Sequence, residues 1–462
     1  MQRVLLRALL FALILFAHSP ITPAQTPHTL TYAPGKQITL SLPDPFDINI
    51  AASGLKRVRF FAKAPDGRIF VTSMHDLSDN RIGSVYILEG WDEQSHKYTR
   101  TTRYLDHLRN PNNLAFYTDP ASTQSWLYLP LTHRLVRYKY SAGDTAPTSP
   151  PETLIHFPDY GLHYKYGGWH LTRTVALATT NGTTRLFVAV GSSCNYCQED
   201  EVLRASVVSM DPDGKNQRLE AQGLRNAVDI QQMPEIDNGA IFATNMGDDH
   251  LGDKLPEDTF VQLAINASPA PNYGWPACYF ADGEPVLDKT PLPTLNDARA
   301  AGKAAPKPAG NDSVYGEQKD VAAAGTNLTA GGGRHAVDPN ANLGKTPATL
   351  KSCDKVPPAW TTFAAHSSPL GFAYFGKQDS ALGETFLVAL HGASHPHIGT
   401  GYKVVRFTAA DRKPSDFITG FLTTNNRKPL VHGRPCAILR LAPDTFLLSD
   451  DYLGLVYYVH PR

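Results

Sequence analysis

The sequence predicts an all-β chain folded as a six-bladed β-propeller, and three observations predict it. First, Ala64-Pro65-Asp66-Gly67-Arg68-Ile69-Phe70-Val71, Met210-Asp211-Pro212-Asp213-Gly214 and Leu441-Ala442-Pro443-Asp444-Thr445-Phe446-Leu447-Leu448 share one grammar: an apolar strand, then a Pro-Asp turn. In the first and last, a second apolar strand follows. Second, blurred copies of a paired apolar strand recur at Asn113–Phe116 into Trp126–Leu129, Val175–Leu177 into Leu186–Val190, Val228–Ile230 into Ala240–Ala243, and Gly371–Tyr374 into Phe386–Leu390, and we count six such units along the chain. Short strands repeated around tight turns cannot bury their faces alone and do so by stacking radially on their neighbours. Third, 462 residues, of which 42% are hydrophobic and 19% charged, suffice for one large core.

At the start of the chain, Arg3 and Arg7 precede an apolar run over residues 8–17, and Thr22-Pro23-Ala24 offers a cleavage site. This pattern predicts a signal peptide over 1–24, leaving the propeller over 25–462 in a periplasmic or secreted protein. The run is short of the ~20 residues a spanning helix needs, so the mature chain is expected to have no membrane span. Lys+Arg and Asp+Glu balance at 43 each, which argues against a nucleic-acid partner, because a phosphate backbone calls for a basic surface.

Export makes the five cysteines legible. Cys278 and Cys353 flank a stretch rich in Ala, Gly, Pro and Lys without apolar periodicity, expected as a loop insertion at about 281–352. A disulfide between them would staple that excursion, and the chain-entropy model gives a loop so long about 4 kcal/mol. Cys194-Asn195-Tyr196-Cys197 is a single C-x2-C without a matching pair; a local disulfide is the preferred reading and a zinc site the alternative. Cys436 is left over and is expected to be buried in the last blade.

In a propeller the inner strands begin around a central channel, so residues just before them meet in one pocket although far apart in sequence. Those places carry Arg109-Asn110-Pro111, His170, Arg225-Asn226, Ser368-Pro369 and Arg434-Pro435. Alignment of the apolar strands sets His170 and Arg225 at one repeat position and Arg434 about one residue away. Their side chains are expected to converge.

Several segments resemble the soluble quinoprotein glucose/sorbosone dehydrogenases, whose cofactor is pyrroloquinoline quinone. They are Gly223-Leu224-Arg225-Asn226, Leu251-Gly252-Asp253-Lys254-Leu255-Pro256, Asn272-Tyr273-Gly274-Trp275-Pro276, Val388-Ala389-Leu390-His391-Gly392 with Gly401-Tyr402-Lys403-Val404-Val405-Arg406, and Gly433-Arg434-Pro435 with Leu448-Ser449-Asp450-Asp451-Tyr452. The pattern is more similar to the sorbosone branch. The resemblance implies that His170, in Gly168-Trp169-His170-Leu171-Thr172-Arg173, is the catalytic base, since an imidazole can take a hydroxyl proton near neutral pH. It implies that Arg59, Arg225, Asn226, His391 and Arg434 bind the cofactor, whose carboxylates call for the planar cationic fork of arginine. It implies calcium held by main-chain oxygens at Gly247 and Asp248, in Asn245-Met246-Gly247-Asp248-Asp249-His250, as suits a hard cation.

The implied activity is oxidation of a sugar or sugar-derived aldehyde by hydride transfer to the quinone. With no C-x-x-C-H heme motif, electrons would leave to a separate acceptor. The chain departs from the family at Gly392-Ala393-Ser394-His395-Pro396, where sorbosone-type relatives carry Gly-Ser-Trp-Asn-Arg. Two other readings stay open: a non-catalytic propeller binding carbohydrate or protein, and a calcium-dependent lactonase with carboxylate and Asn ligands in its channel.

Overall fold

The computed structural model describes residues 24–158, 170–301, 343, 346 and 349–462. The expected signal peptide, save Ala24, lies outside the described residues, as do Gly168, Trp169 and most of the low-complexity stretch. The described chain contains six four-stranded antiparallel sheets and three two-stranded hairpins. The protein is the expected six-bladed β-propeller.

Each blade runs outward from an inner strand. The inner strands are Val58–Lys63, Ala115–Thr118, Arg173–Thr180, Ala227–Met233, Pro369–Phe375 and Pro435–Ala442. The second strand of each blade carries an apolar run and is largely buried because neighbouring blades cover both its faces; Thr385–Leu390 is buried along its whole length. Between the fourth and fifth blades the seam is aromatic, with Phe260 meeting Phe372 edge-on at 4.9 Å and 88°. Such pairs contribute about 0.5–1.5 kcal/mol beyond their buried area. The sixth blade takes its outer strand, Phe46–Ala52, from the start of the domain, paired with Leu455–Pro461. This closes the ring by hydrogen bonds between the two ends of the chain.

The Pro-Asp turns explain both the success and the limit of the repeat reading. In the first blade Ala64 and Arg68 pair across the turn, and Gly67 at φ 86° donates to the Ala64 carbonyl. Asp211–Lys215 repeats those bonds, with Gly214 also at φ 86°. The two turns are alike locally, yet the first joins inner to second strand and the other joins third to fourth strand of the third blade. A turn signature reports local backbone, not position in the blade.

Both expected disulfides form. Cys278 and Cys353 have Cα atoms 6.0 Å apart across 75 residues, Cys194 joins Cys197, and Cys436 is free and buried. The insertion separates the third strand of the fourth blade, Asp258–Leu263, from its fourth, Thr361–Phe363. Its described part holds a hairpin, Cys278–Ala281 with Glu284–Leu287, and a short helix, Leu295–Ala300, whose Leu295 and Ala298 pack on Cys194 and Cys197. The remainder lies outside the described residues. Deletion of residues 302–342, keeping the helix and both cysteines, is expected to leave a single cooperative unfolding transition, read by calorimetry. Loss of that transition would make the segment part of the core.

Candidate active site

Residues flanking the tops of the inner strands surround a pocket of about 180 Å³ lined by Arg59, Met74, Leu77, His170, Leu171, Thr172, Asn226, Val228, Met246, Leu370 and His391. Four of the expected site residues, Arg59, His170, Asn226 and His391, thus line one pocket. Their places relative to the inner strand differ slightly: His170 lies three residues before Arg173, Arg225 two before Ala227, and Arg434 one before Pro435.

His170 is held from behind. Its Nδ1 lies 3.0 Å from both the Ser192 carbonyl oxygen and Ser192 Oγ. The Ser192 hydroxyl donates to the Cys194 carbonyl at 2.6 Å, so both oxygens facing Nδ1 can only accept. Nδ1 therefore carries the proton, and Nε2, which has no hydrogen-bond partner among the described residues, keeps its lone pair. Burial, with the positive charge of Arg225 next, sets the imidazole pKa well below its usual 6.5, so the ring is neutral at physiological pH. Gly191 permits this approach: a Cβ there would stand 2.6 Å from His170 Cβ and from Asn226 Oδ1. Gly191→Ala is accordingly expected to displace the imidazole.

Opposite, Arg59 is buried and donates through Nε and Nη2 to Asn112 Oδ1 at 3.1 and 2.8 Å and through Nη1 to Asp451 Oδ2 at 3.0 Å. Asp451 also meets Arg57 Nη1 at 3.4 Å and His391 Nε2 at 2.8 Å. Burial alone would raise its pKa; His391, Arg59 and Arg57 outweigh it and hold the carboxyl well below the usual carboxylate range. With an ionised acceptor on its Nε2–H, His391 presents Nδ1 to Arg434 Nη1 at 3.4 Å and is neutral, its own pKa lowered chiefly by burial.

Arg225 and Arg434 are not among the residues that line this pocket. Arg225 donates to the Asn195 carbonyl at 3.0 Å, Asn195 Oδ1 at 2.6 Å and the Gly247 carbonyl at 2.6 Å, and pairs with Asp249 at 3.4 Å. Arg434 donates to the carbonyls of Gly392 and Ala393, each at 3.0 Å, and to Tyr402 Oη at 2.8 Å. The Gly392–Ala393 turn is thereby clamped by Arg434 and Tyr402.

A family model described as TrAA12-like matches residues 41–421. The chain belongs to the TrAA12-like family. No curated protein matches it. Solved structures share the fold of this TrAA12-like protein at low identity. A Trichoderma reesei protein of Carbohydrate-Active Enzymes Family AA12 is 18% identical with a TM-score of 0.58, over 91% of this chain and 97% of its own. The holo PQQ domain of Coprinopsis cinerea pyranose dehydrogenase is 16% identical with a TM-score of 0.59, over 92% and 97%. The PQQ-bound aldose sugar dehydrogenase of Streptomyces coelicolor is 13% identical with a TM-score of 0.51, over 91% and 100%.

The TrAA12-like pocket suits a flat anionic quinone. Val228, Met246 and Leu370 supply apolar surface, Arg59 supplies fixed charge on the wall, and Asn226 Oδ1 is buried without a hydrogen-bond partner. The expected metal loop also offers hard oxygen donors. The Gly247 carbonyl has a lone pair beyond the one that accepts from Arg225, and Asp248 meets His250 Nδ1 at 2.5 Å through one of its carboxylate oxygens, Oδ1.

Sequence reasoning missed Ser192, Asn195, Asn112 and the role of Asp451 in this TrAA12-like site. Ser192 had a usable signal, since it follows the second strand of the third blade, Thr183–Val190, by two residues.

Proposed function

We propose that the protein is an exported quinoprotein dehydrogenase that oxidises a sugar, or a sugar-derived aldehyde through its hydrate, with pyrroloquinoline quinone and calcium as cofactors. The glucose/sorbosone class of substrate is part of this proposal. The observation that carries it is the neutral His170 with its Nε2 lone pair toward a pocket walled by arginine. Support comes from the relatives: quinone is bound in the Coprinopsis and Streptomyces structures, and calcium in another Trichoderma AA12 structure at 17% identity.

When bound, the quinone would supply the two-electron acceptor, taking hydride from the carbon being oxidised while calcium polarises its oxygens. The protein's own work is simpler. His170 Nε2 takes the proton of the substrate hydroxyl, Nδ1–H stays on Ser192, and the imidazolium is reset by release of that proton to water. Arg59, with Asn226 and His391, orients the anionic ring; Met74, Leu77 and Leu171 exclude water from the reacting face. Arg225 serves on the cofactor side and keeps His170 deprotonated. A separate electron acceptor completes the cycle.

The lactonase reading calls for carboxylate ligands in the channel. None lines the pocket among the described residues, which favours the dehydrogenase.

Quinone titration into the cofactor-free protein tests the binding half. Arg225→Ala is expected to weaken binding about tenfold or more, the loss of a charge-assisted partner being about 1.5–3 kcal/mol; an unchanged Kd would make Arg225 purely structural. The pH profile tests the base. The base works deprotonated and its pKa is lowered in the folded protein, so kcat/KM should hold as pH falls past 6.5 and decline only below it. A limb at or above the free imidazole value would contradict the assignment.

A further inference from the structure

The pocket's polar arrangement converges on four residues, Cys194-Asn195-Tyr196-Cys197, closed into a ring by a disulfide. One strand of that arrangement runs through the Cys194 carbonyl, which takes the Ser192 hydroxyl proton and so leaves only acceptors facing His170 Nδ1. The other runs through Asn195. Its carbonyl accepts from Arg225 Nε at 3.0 Å and from Trp275 Nε1 at 3.2 Å, and its side-chain oxygen accepts from Arg225 Nη2 at 2.6 Å and from the Asp249 amide at 3.0 Å. The ring is fixed from outside as well. Both cysteines are fully buried among Ala205, Trp275, Leu295 and Ala298, and the neighbouring Ser193 gives its amide and hydroxyl to the buried Glu199 carboxylate, each at 2.6 Å.

We propose that this disulfide-closed loop is the positioning element of the pocket, fixing the proton of His170 on Nδ1 and the guanidinium of Arg225 at the cofactor side. Neither Asn195 nor Cys194 touches the pocket; each acts through another residue. The consequence, which rests on the dehydrogenase reading, is that turnover requires the oxidised Cys194–Cys197 pair. If the ring opens, the Cys194 carbonyl is no longer held over Ser192 Oγ. The hydroxyl can then rotate and donate to Nδ1 in competition with the Ser192 carbonyl, which populates the tautomer with its proton on Nε2, where it blocks proton uptake from substrate. Asn195 at the same time loses the backbone conformation that aims two oxygens at one guanidinium. A small misplacement of this kind is enough to cost about a hundredfold in rate.

The experiment uses full-length protein labelled with ¹⁵N-histidine, without cofactor or substrate, compared with Cys194→Ser/Cys197→Ser. The expected parent spectrum shows His170 as a single tautomer with Nδ1 protonated. The double variant should show mixed tautomers and a His170 titration moved up toward free imidazole, and in turnover kcat should fall about tenfold or more with the acid limb of the profile shifted upward. Parental His170 signals and an unshifted limb in the variant would overturn the proposal. Should the double variant not fold, the parent is treated with a phosphine reductant while opening of Cys194–Cys197 is followed by mass spectrometry, and the same His170 signals decide.

Asn195→Ala, with the disulfide intact, tests the second strand. His170 should keep its tautomer while quinone binding weakens about tenfold, as for a lost hydrogen bond to a charged group; unchanged binding would remove Asn195 from the element. Because the spectra need no cofactor, a loop-dependent tautomer in a protein that oxidises no sugar would uphold the positioning and sink the dehydrogenase reading alone.

Discussion

His170→Ala is expected to lose turnover by about 10²–10⁴-fold while quinone affinity stays within a few-fold of the parent. The two effects separate because the imidazole offers a lone pair at Nε2 and is neutral, so it contributes proton uptake and little charge toward carboxylates. His170→Gln distinguishes a base from a spacer: it restores bulk and a hydrogen bond but has no group that titrates. If either variant kept most of its kcat, proton transfer would have to be assigned elsewhere, and the pocket lining holds no carboxylate to take it among the described residues. Single-turnover reduction of the bound quinone, with affinity titrated separately, reads both quantities.

Asp451→Asn should be the most destabilising change in the pocket, by about 3–5 kcal/mol, because it leaves the buried Arg59 beside a neutral amide. The carboxylate is completely buried, and it joins Arg57 and Arg59 of the first blade and His391 of the fifth to its own sixth blade in one network, so the loss is felt across the ring closure. The pH dependence has a definite sign. A carboxyl whose folded pKa is depressed stabilises above its unfolded value, near 3.9, and loses that contribution as pH falls toward the folded value. The parent should therefore lose more stability than Asp451→Asn between about pH 4 and strongly acid conditions. Denaturant melts at pH 7 and pH 3 measure the difference; parallel losses in the two proteins would mean that folding does not depress the Asp451 pKa.

The propeller was legible because its signal is periodic. Each second strand, such as Thr385–Leu390, is an apolar run that only a two-sided seam can bury, and the turns punctuate the runs. His170, Arg225 and Asn226 were legible for the same reason, since they sit at one end of repeated strands. The partners that give these residues their chemistry were not. Arg59 and Asp451 are separated by 392 positions, and no local pattern announces that pairing. Ser192 acts through the direction of one hydroxyl proton, a property of its three-dimensional neighbours. Arg434, expected at the cofactor, also donates to the carbonyls of Gly392 and Ala393, and only the course of that turn decides those contacts. The sequence likewise set the Cys278–Cys353 insertion apart from the blades but did not show that its helix rests on the Cys194–Cys197 loop.

The most direct test of the central claim is reduction of an artificial dye by the purified protein reconstituted with pyrroloquinoline quinone and calcium, across a panel of aldoses, pyranoses and sugar-derived aldehydes. The account predicts saturable reduction with at least one sugar, absent without quinone and nearly abolished in His170→Ala. Tight quinone binding with no dye reduced by any member of the panel would contradict it and leave a propeller that binds but does not oxidise.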